Sequence, residues 1–211
     1  MSAELSNLTQ PLVTMLEMQD AMNSKVNSKW FDQNFEWYRA IWIECAEMLD
    51  HYGWKWWKHQ SPETEQVKLE LVDIFHFGLS CRINGADDYQ TIAKEIAMEL
   101  SQPKQAASFP ETLEMMAATA LTQHGFDAAA FAGCMYQIDM SFAELYRSYV
   151  GKNTLNFFRQ DHGYKDGTYH KQWHGKEDNE HLVEVLLELS IEDPAFKENV
   201  YQALLARYPS K

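Results

Sequence analysis

Apolar residues recur at helical spacing along almost the whole chain, and no stretch shows the strict alternation that marks a half-buried strand. The first helix is predicted to start near Thr9 and Pro11, a capping residue followed by an early proline. Its apolar stripe is Leu12, Met15, Leu16, Met22 and Val26. Gln19 and Asn23 fall inside that stripe at i, i+4 spacing, so both amides should point the same way from an otherwise apolar face. A second helix, roughly Asp32 to Tyr52 and ending at Gly53, is apolar nearly all round, through Trp37, Tyr38, Ile41, Trp42, Ile43, Cys45, Met48 and Leu49, and is predicted to be central and buried. Ser61 and Pro62 open a third, which runs to about Ile83 and stops at Asn84 and Gly85. Further helices are predicted over Asp88 to Leu100, Pro110 to His124, Asp127 to about Gln160, Asn179 to Ser190 and Pro194 to Tyr208. Asp161 to Asp178, rich in Gly, His, Tyr and Lys, has no regular period and reads as a loop. Loops that long inside a domain are usually functional.

With 211 residues and 45% hydrophobic content, the chain suits one all-α domain spanning residues 1–211. Cys45, Cys81 and Cys134 lack metal-type spacing and lie in apolar helical stretches, so reduced, buried thiols are expected. Met1 to Gln10 carries no basic segment leading into an apolar run, and no stretch is long enough to span a bilayer; a cytoplasmic protein without membrane partners is the expectation.

The central helices change this picture from bundle to site. Glu44-x-x-Glu47 and Glu70-x-x-Asp73 each put two carboxylates one turn apart on one face. Acids on otherwise apolar helices cannot remain ionised alone, because burying an unpaired charge costs more than local packing returns. An all-oxygen nest on two helices suits Mg²⁺ or Mn²⁺ rather than zinc. A carboxylate-bridged di-iron site is the competing pattern; Asp73-x-x-His76 is half a match, and no Glu-x-x-His unit completes it.

A net charge of −13 argues against nucleic-acid binding, which depends on Lys and Arg neutralising phosphates. Yet Lys152, Arg159, Lys165, Lys171 and Lys176 stand against only Asp161 and Asp166 between positions 152 and 176, with His162, His170 and His174 among them. A local cationic segment on an acidic body suits a small polyanion held with metal ions. Residues 152–179 are predicted to form a mobile lid, so the expected fold is an all-α helical bundle with two central metal-binding helices and a C-terminal closing segment.

The runs Glu44-Cys-Ala-Glu47, Gly53-Trp-Lys-Trp-Trp-Lys58 and Glu70-Leu-Val-Asp73-Ile-Phe-His-Phe77 resemble the metal and base-pocket region of the dimeric dUTPases, within the all-α NTP pyrophosphatase superfamily. The resemblance continues in Gly151-Lys-Asn-Thr-Leu-Asn-Phe-Phe-Arg-Gln160, His162-Gly-Tyr-Lys-Asp-Gly-Thr-Tyr-His-Lys171 and Gly175-Lys-Glu-Asp-Asn179, and with Gln19 and Asn23 it spans about Leu12 to Asn179. It implies hydrolysis of dUTP, and of dUDP, to dUMP with release of pyrophosphate or phosphate, by a homodimer using two or more Mg²⁺ ions. Glu44, Glu47, Glu70 and Asp73 match the family's metal ligands, with Glu44 or Glu47 as the group that handles the proton of the attacking water. Gln19 and Asn23 match the amides that read uracil, Trp57 and Phe77 the aromatic wall of the base and deoxyribose pocket. Lys152, Asn156, Arg159, Tyr164 and Lys165 match the segment that closes over sugar and phosphates, and His76 and Lys171 neighbour that site. The acidic helix motifs mark the whole superfamily, so broader-specificity nucleotide pyrophosphohydrolases of the MazG or dCTPase type are the alternative. The Lys-Asn-x-Leu-Asn-x-Phe-Arg-Gln run is more particular to dUTPases.

Overall fold

Capping side chains and left-handed residues set the helix boundaries and divide the chain further than the apolar pattern does. The computed structural model describes residues 3–83, 85, 87–191 and 193–209, with the backbone alone for 3–7. Its elements are α1 (Ala3–Val26), a 3₁₀ turn (Trp30–Gln33), α2 (Trp37–Tyr52), α3 (Thr64–Arg82), α4 (Tyr89–Leu100), α5 (Phe109–Gln123), α6 (Ala128–Gln137), α7 (Phe142–Asp161), β1 (Gln172–Trp173), β2 (Lys176–Glu177), α8 (Asp178–Glu188) and α9 (Phe196–Arg207). The fold is all-α, and the one sheet among the described residues is an antiparallel hairpin of two-residue strands.

Four boundaries differ from the sequence prediction. The first helix begins at Ala3, and Pro11 stands inside it; a proline removes one backbone donor, a loss that a 24-residue helix packed against α3, α4 and α7 absorbs. The predicted Asp32–Tyr52 helix is interrupted because Asn34 is left-handed at φ 49°, ending the 3₁₀ turn before α2 starts. The predicted Asp127–Gln160 helix is two helices, parted where Asp139 is left-handed and the Ser141 side chain accepts from the Glu144 N–H to cap α7. Residues 161–178 carry the hairpin, whose two-residue turn, His174-Gly175, has both residues at positive φ, the combination that matches strand twist. The predicted helix stop at Asn84 lies outside the described residues, while Gly85 does adopt φ 70°.

The third helix is the axis of the molecule and touches α1, α2, α6 and α7. Its Val67, Leu71, Val72, Ile74, Phe75 and Leu79 are buried, and Phe75 meets the rings of Phe126, Phe131 and Tyr149. Truncating so central an aromatic typically costs about 3–5 kcal/mol. The second helix is less enclosed than its sequence suggests. It buries Ile41, Cys45 and Met48 but leaves Ile43 exposed. Cys45 and Cys134 are buried free thiols, whereas Cys81 is only half-buried. At the other end, Trp173 is fully buried and stacked on His181, and Tyr169 stacks on Tyr208 with rings 7° apart, so aromatic rather than aliphatic groups dock the hairpin on α7, α8 and α9. No helix of the described residues is long and apolar enough to cross a membrane.

Candidate active site

The most extensively packed helix pair, α2 with α3, carries the predicted carboxylates to one place. Oxygens of Glu44, Glu47 and Glu70 lie within 4.8 Å of one another. Glu44 and Glu70 are half-buried and hydrogen-bonded to each other, while Glu47 is exposed. Burial, reinforced by Asp73, Glu70 and Glu47, pushes the Glu44 carboxyl up to about 8, and burial likewise raises Glu70. Without a cation the pair therefore shares a proton at neutral pH. Asp73 stands outside this trio and pairs instead with Lys152, Oδ2 to Nζ 3.0 Å. Lys152 is almost fully buried on α7, where an ammonium without such a partner would be costly. The site is oxygen-only, and it is short of positive charge.

Asp73 also borders a cavity of 240 Å³ lined by Gln19, Asn23, Trp30, Trp37, His76, Phe77 and Asn156, among others. Asp73 thus stands between the acidic trio, whose Glu44 feels its charge, and the cavity. Three larger hollows, 340 Å³ beside Tyr38 and His124, 460 Å³ within the loop of residues 53–60 and 440 Å³ beside Asp20 and Tyr89, contain none of the four carboxylates. The cavity floor is a dense polar network. Gln19 donates through Nε2 to Asn23 Oδ1 (3.1 Å) and Ser80 Oγ (2.9 Å), and its Oε1 lies 2.8 Å from His76 Nδ1 and 2.9 Å from the Tyr149 hydroxyl, which is as close to the Met15 carbonyl. Asn23 Nδ2 donates to Ser80 Oγ (3.0 Å), and Ser80 in turn donates to the His76 carbonyl (3.1 Å). Burial, with Lys152 adding to it, pulls the His76 pKa down to about 3, so the ring is neutral. With Nδ1–H given to Gln19, its Nε2 is a buried acceptor without a partner.

The residues of the predicted closing segment are divided between the cavity and its surroundings. Asn156 lines the cavity, and its Oδ1 accepts from Arg159 Nη1. Arg159 is otherwise committed to Asp178, which is fully buried and accepts from Nε (2.8 Å) and Nη2 (2.9 Å) as well as from the Tyr169 hydroxyl. Burial works against both charges, and the pair overcomes it, holding Arg159 up and Asp178 below its ordinary carboxylate value. Lys165 reaches the Val26 carbonyl at the cavity rim (3.4 Å). Exposed Tyr164 lies beside the Arg159 guanidinium, and Lys171 pairs with Glu177 away from the carboxylates. Trp57 is not part of the cavity wall here. It sits exposed on the 53–60 loop, edge-on to Trp54 and Trp56, and Trp37 takes the wall position, stacked with Phe77 at 6.2 Å.

Sequence reasoning missed Ser80, Tyr149, Trp37 and Asp178. The signal for Ser80 was available, since it interrupts an apolar run just as Gln19 and Asn23 do. No curated protein matches the chain. The model of the family described as dUTPase matches residues 11–164, which include the carboxylates, the amides and Lys152, and the chain therefore belongs to the all-α, dimeric dUTPase family.

Proposed function

We propose that this protein hydrolyses dUTP to dUMP and pyrophosphate, and dUDP to dUMP and phosphate, with Mg²⁺ or Mn²⁺, as a homodimer in the cytoplasm. The observation that carries the reading is the meeting, at Asp73, of an oxygen-only carboxylate cluster with a cavity whose polar floor suits a pyrimidine edge. The donor set fits hard divalent cations, and the proton shared by Glu44 and Glu70 marks where positive charge is wanted. Glu44, Glu47, Glu70 and Asp73 would hold them. When bound, such ions neutralise phosphate charge and make a water acidic enough to attack near neutral pH.

The chain's own groups supply the rest. Asn23 and the neutral His76 offer a donor and acceptors to the base, and Phe77 and Trp37 flank it. The volume of 240 Å³, below the ~300–1,000 Å³ usual for drug-sized ligands, suits a single-ring base. Glu47, the most exposed of the acidic trio, is assigned to accept the proton of the attacking water. As the oxygen of that water bonds to phosphorus, the bridging P–O bond breaks and the electron pair leaves on the departing phosphate. Lys152, the cation paired with Asp73 at the edge of the acidic cluster, would meet that growing charge, while Arg159, held by Asp178, orients Asn156 at the cavity. Exposed Phe31, Phe35, Trp54 and Trp56 support a second subunit as cover.

Initial rates on dUTP, dUDP, dCTP, dTTP and purine nucleotides, with and without Mg²⁺ and with pyrophosphate release as readout, test the reading. Product from dUTP that needs the metal supports it. Comparable rates on dCTP would favour the broader pyrophosphohydrolase reading, and no product from dUTP would sink the proposal.

A further inference from the structure

A carboxamide by itself cannot tell uracil from cytosine. Uracil offers its N3–H donor beside the O4 acceptor, and cytosine offers an N3 acceptor beside an N4 donor. An asparagine side chain turned over by half a rotation exchanges its donor and acceptor and reads either edge equally well. Discrimination by an amide is therefore only as strong as whatever stops it from turning.

In this structure the stop is visible. Asn23 gives one N–H to Ser80 and accepts one bond from Gln19, leaving one N–H and one lone pair for a ligand. Gln19 is engaged at both ends: its two N–H groups go to Asn23 and Ser80, and its Oε1 lies 2.8 Å from His76 Nδ1 and 2.9 Å from the Tyr149 hydroxyl, whose one proton is shared with the Met15 carbonyl at 2.9 Å. Turning Asn23 alone would set its oxygen against the Ser80 oxygen and its NH₂ against the Gln19 NH₂. Ser80 cannot relieve the first conflict, since its single proton is given back along α3 to the His76 carbonyl. Gln19 could relieve the second only by turning as well, which would set two amide oxygens against Ser80, whose hydroxyl carries one proton. Gln19, Asn23, His76, Ser80 and Tyr149 are all buried, where unmade hydrogen bonds are expensive.

We propose that Ser80, backed by Tyr149, is the specificity lock of the base cavity: its hydroxyl fixes the Asn23 carboxamide in the one orientation that pairs with uracil and rejects cytosine. Asn23 is then the reader and Gln19 its support. The proposal rests on the functional reading above. Thymine shares uracil's edge and differs by a methyl group, so the lock has no part in excluding it.

The test is kcat/KM for dUTP, dCTP and dTTP in the wild type, Ser80→Ala, Ser80→Thr and Tyr149→Phe. In Ser80→Ala the dUTP/dCTP ratio is expected to fall on the order of ten- to a hundred-fold, the range for loss of a buried hydrogen-bond discriminator, with the dCTP value itself rising. Tyr149→Phe keeps the ring and should lower the ratio several-fold; it carries the test if Ser80→Ala does not fold. Ser80→Thr retains the hydroxyl and the wild-type ratio. The dUTP/dTTP ratio should stay constant throughout. A dUTP/dCTP ratio unchanged in both variants, or both ratios falling together as general loosening would make them, overturns the lock while leaving dUTP hydrolysis standing. A wild type that does not prefer dUTP to dCTP overturns the functional reading and the lock with it.

Discussion

The base cavity and the carboxylate cluster meet at Asp73 and are built on opposite principles. In the cavity floor the amides of Gln19 and Asn23 meet partners before any ligand arrives. In the cluster three acids, two of them half-buried, crowd within 4.8 Å, share a proton and have Lys152 at their edge. The first arrangement stabilises the fold and fixes geometry, which is what recognition needs. The second stores repulsion that incoming cations relieve, which is what reversible metal use needs. Mutations should therefore move stability in opposite directions in the two regions, although they damage activity in both.

The largest effect is expected in the cluster. Glu47→Gln should lower turnover on dUTP by about 10²–10⁴-fold, the usual weight of a positioned proton acceptor. Glu44→Gln should be comparably inactive, yet its melting temperature in metal-free buffer at pH 8 should equal or exceed the wild type's, because a crowded charge has been removed. Near-normal turnover in Glu47→Gln, or marked destabilisation in Glu44→Gln, would contradict the picture of a strained cluster.

In the cavity the sign on stability reverses. Asn23→Ala is expected to lower kcat/KM for dUTP by roughly ten- to a hundred-fold, and to destabilise the protein by about 1–3 kcal/mol as Ser80 and Gln19 lose a buried partner. Equal losses on every nucleotide, read by the same panel of rates, would make the amide structural rather than a reader.

The contrast also explains what could be read in advance. Glu44, Glu47, Glu70, Asp73, Gln19 and Asn23 were legible because each is polar in an apolar helical stripe, where a physical reason must be found for it. The all-α class and most helix ends followed from the 3.6-residue period and from Ser, Asp and Gly at the caps. Distance along the chain hid the rest. Nothing local says that Tyr149 will reach Gln19 across 130 positions, or that Asp178 will claim Arg159. The breaks at Asn34 and Asp139 depend on left-handed residues other than glycine, which the apolar pattern does not register. The hairpin in the 161–178 segment rests on four strand residues, too few to show a period.

A moderate effect should appear in the pH dependence of stability without metal. Glu44 binds its proton up to about 8 in the folded protein but only to about 4.5 when unfolded, so between these values the native state holds more protons and stability falls as pH rises. His76 and Asp178 act oppositely, since their folded pKa values are depressed; Asp178 has finished titrating by 6.5, and His76, half titrated in the unfolded chain at 6.5, offsets only part of the Glu44 slope and has finished by about 7.5. The groups facing Glu44 are Glu47, Glu70 and Asp73, with Lys152 and His51 beside them. Thermal scans from pH 6.5 to 8 should show a falling melting temperature in chelator, and Mg²⁺ should flatten the slope. A rising or flat profile in chelator would mean the acids are not in each other's field.

The smallest effect concerns the segment 152–179, which lies against both regions. Aromatic stacking already docks it, with Trp173 buried and Asp178 clasping Arg159, so nucleotide has little left to order near Lys171. The turn around Lys165 is different. It is bounded by Gly163 and Gly167 at positive φ, and its lysine is held to the body only by a 3.4 Å bond to the Val26 carbonyl. A polyphosphate with Mg²⁺ would replace that weak contact by charge-assisted bonds that offset the entropy of ordering the turn. Trypsin should therefore cut after Lys165 in the free protein, and a non-hydrolysable dUTP analogue with Mg²⁺ should slow that cut several-fold while leaving any cut at Lys171 nearly unchanged. Strong protection at both sites would mean that the hairpin also moves, and equal cleavage at Lys165 with and without the analogue would leave the turn outside the phosphate site.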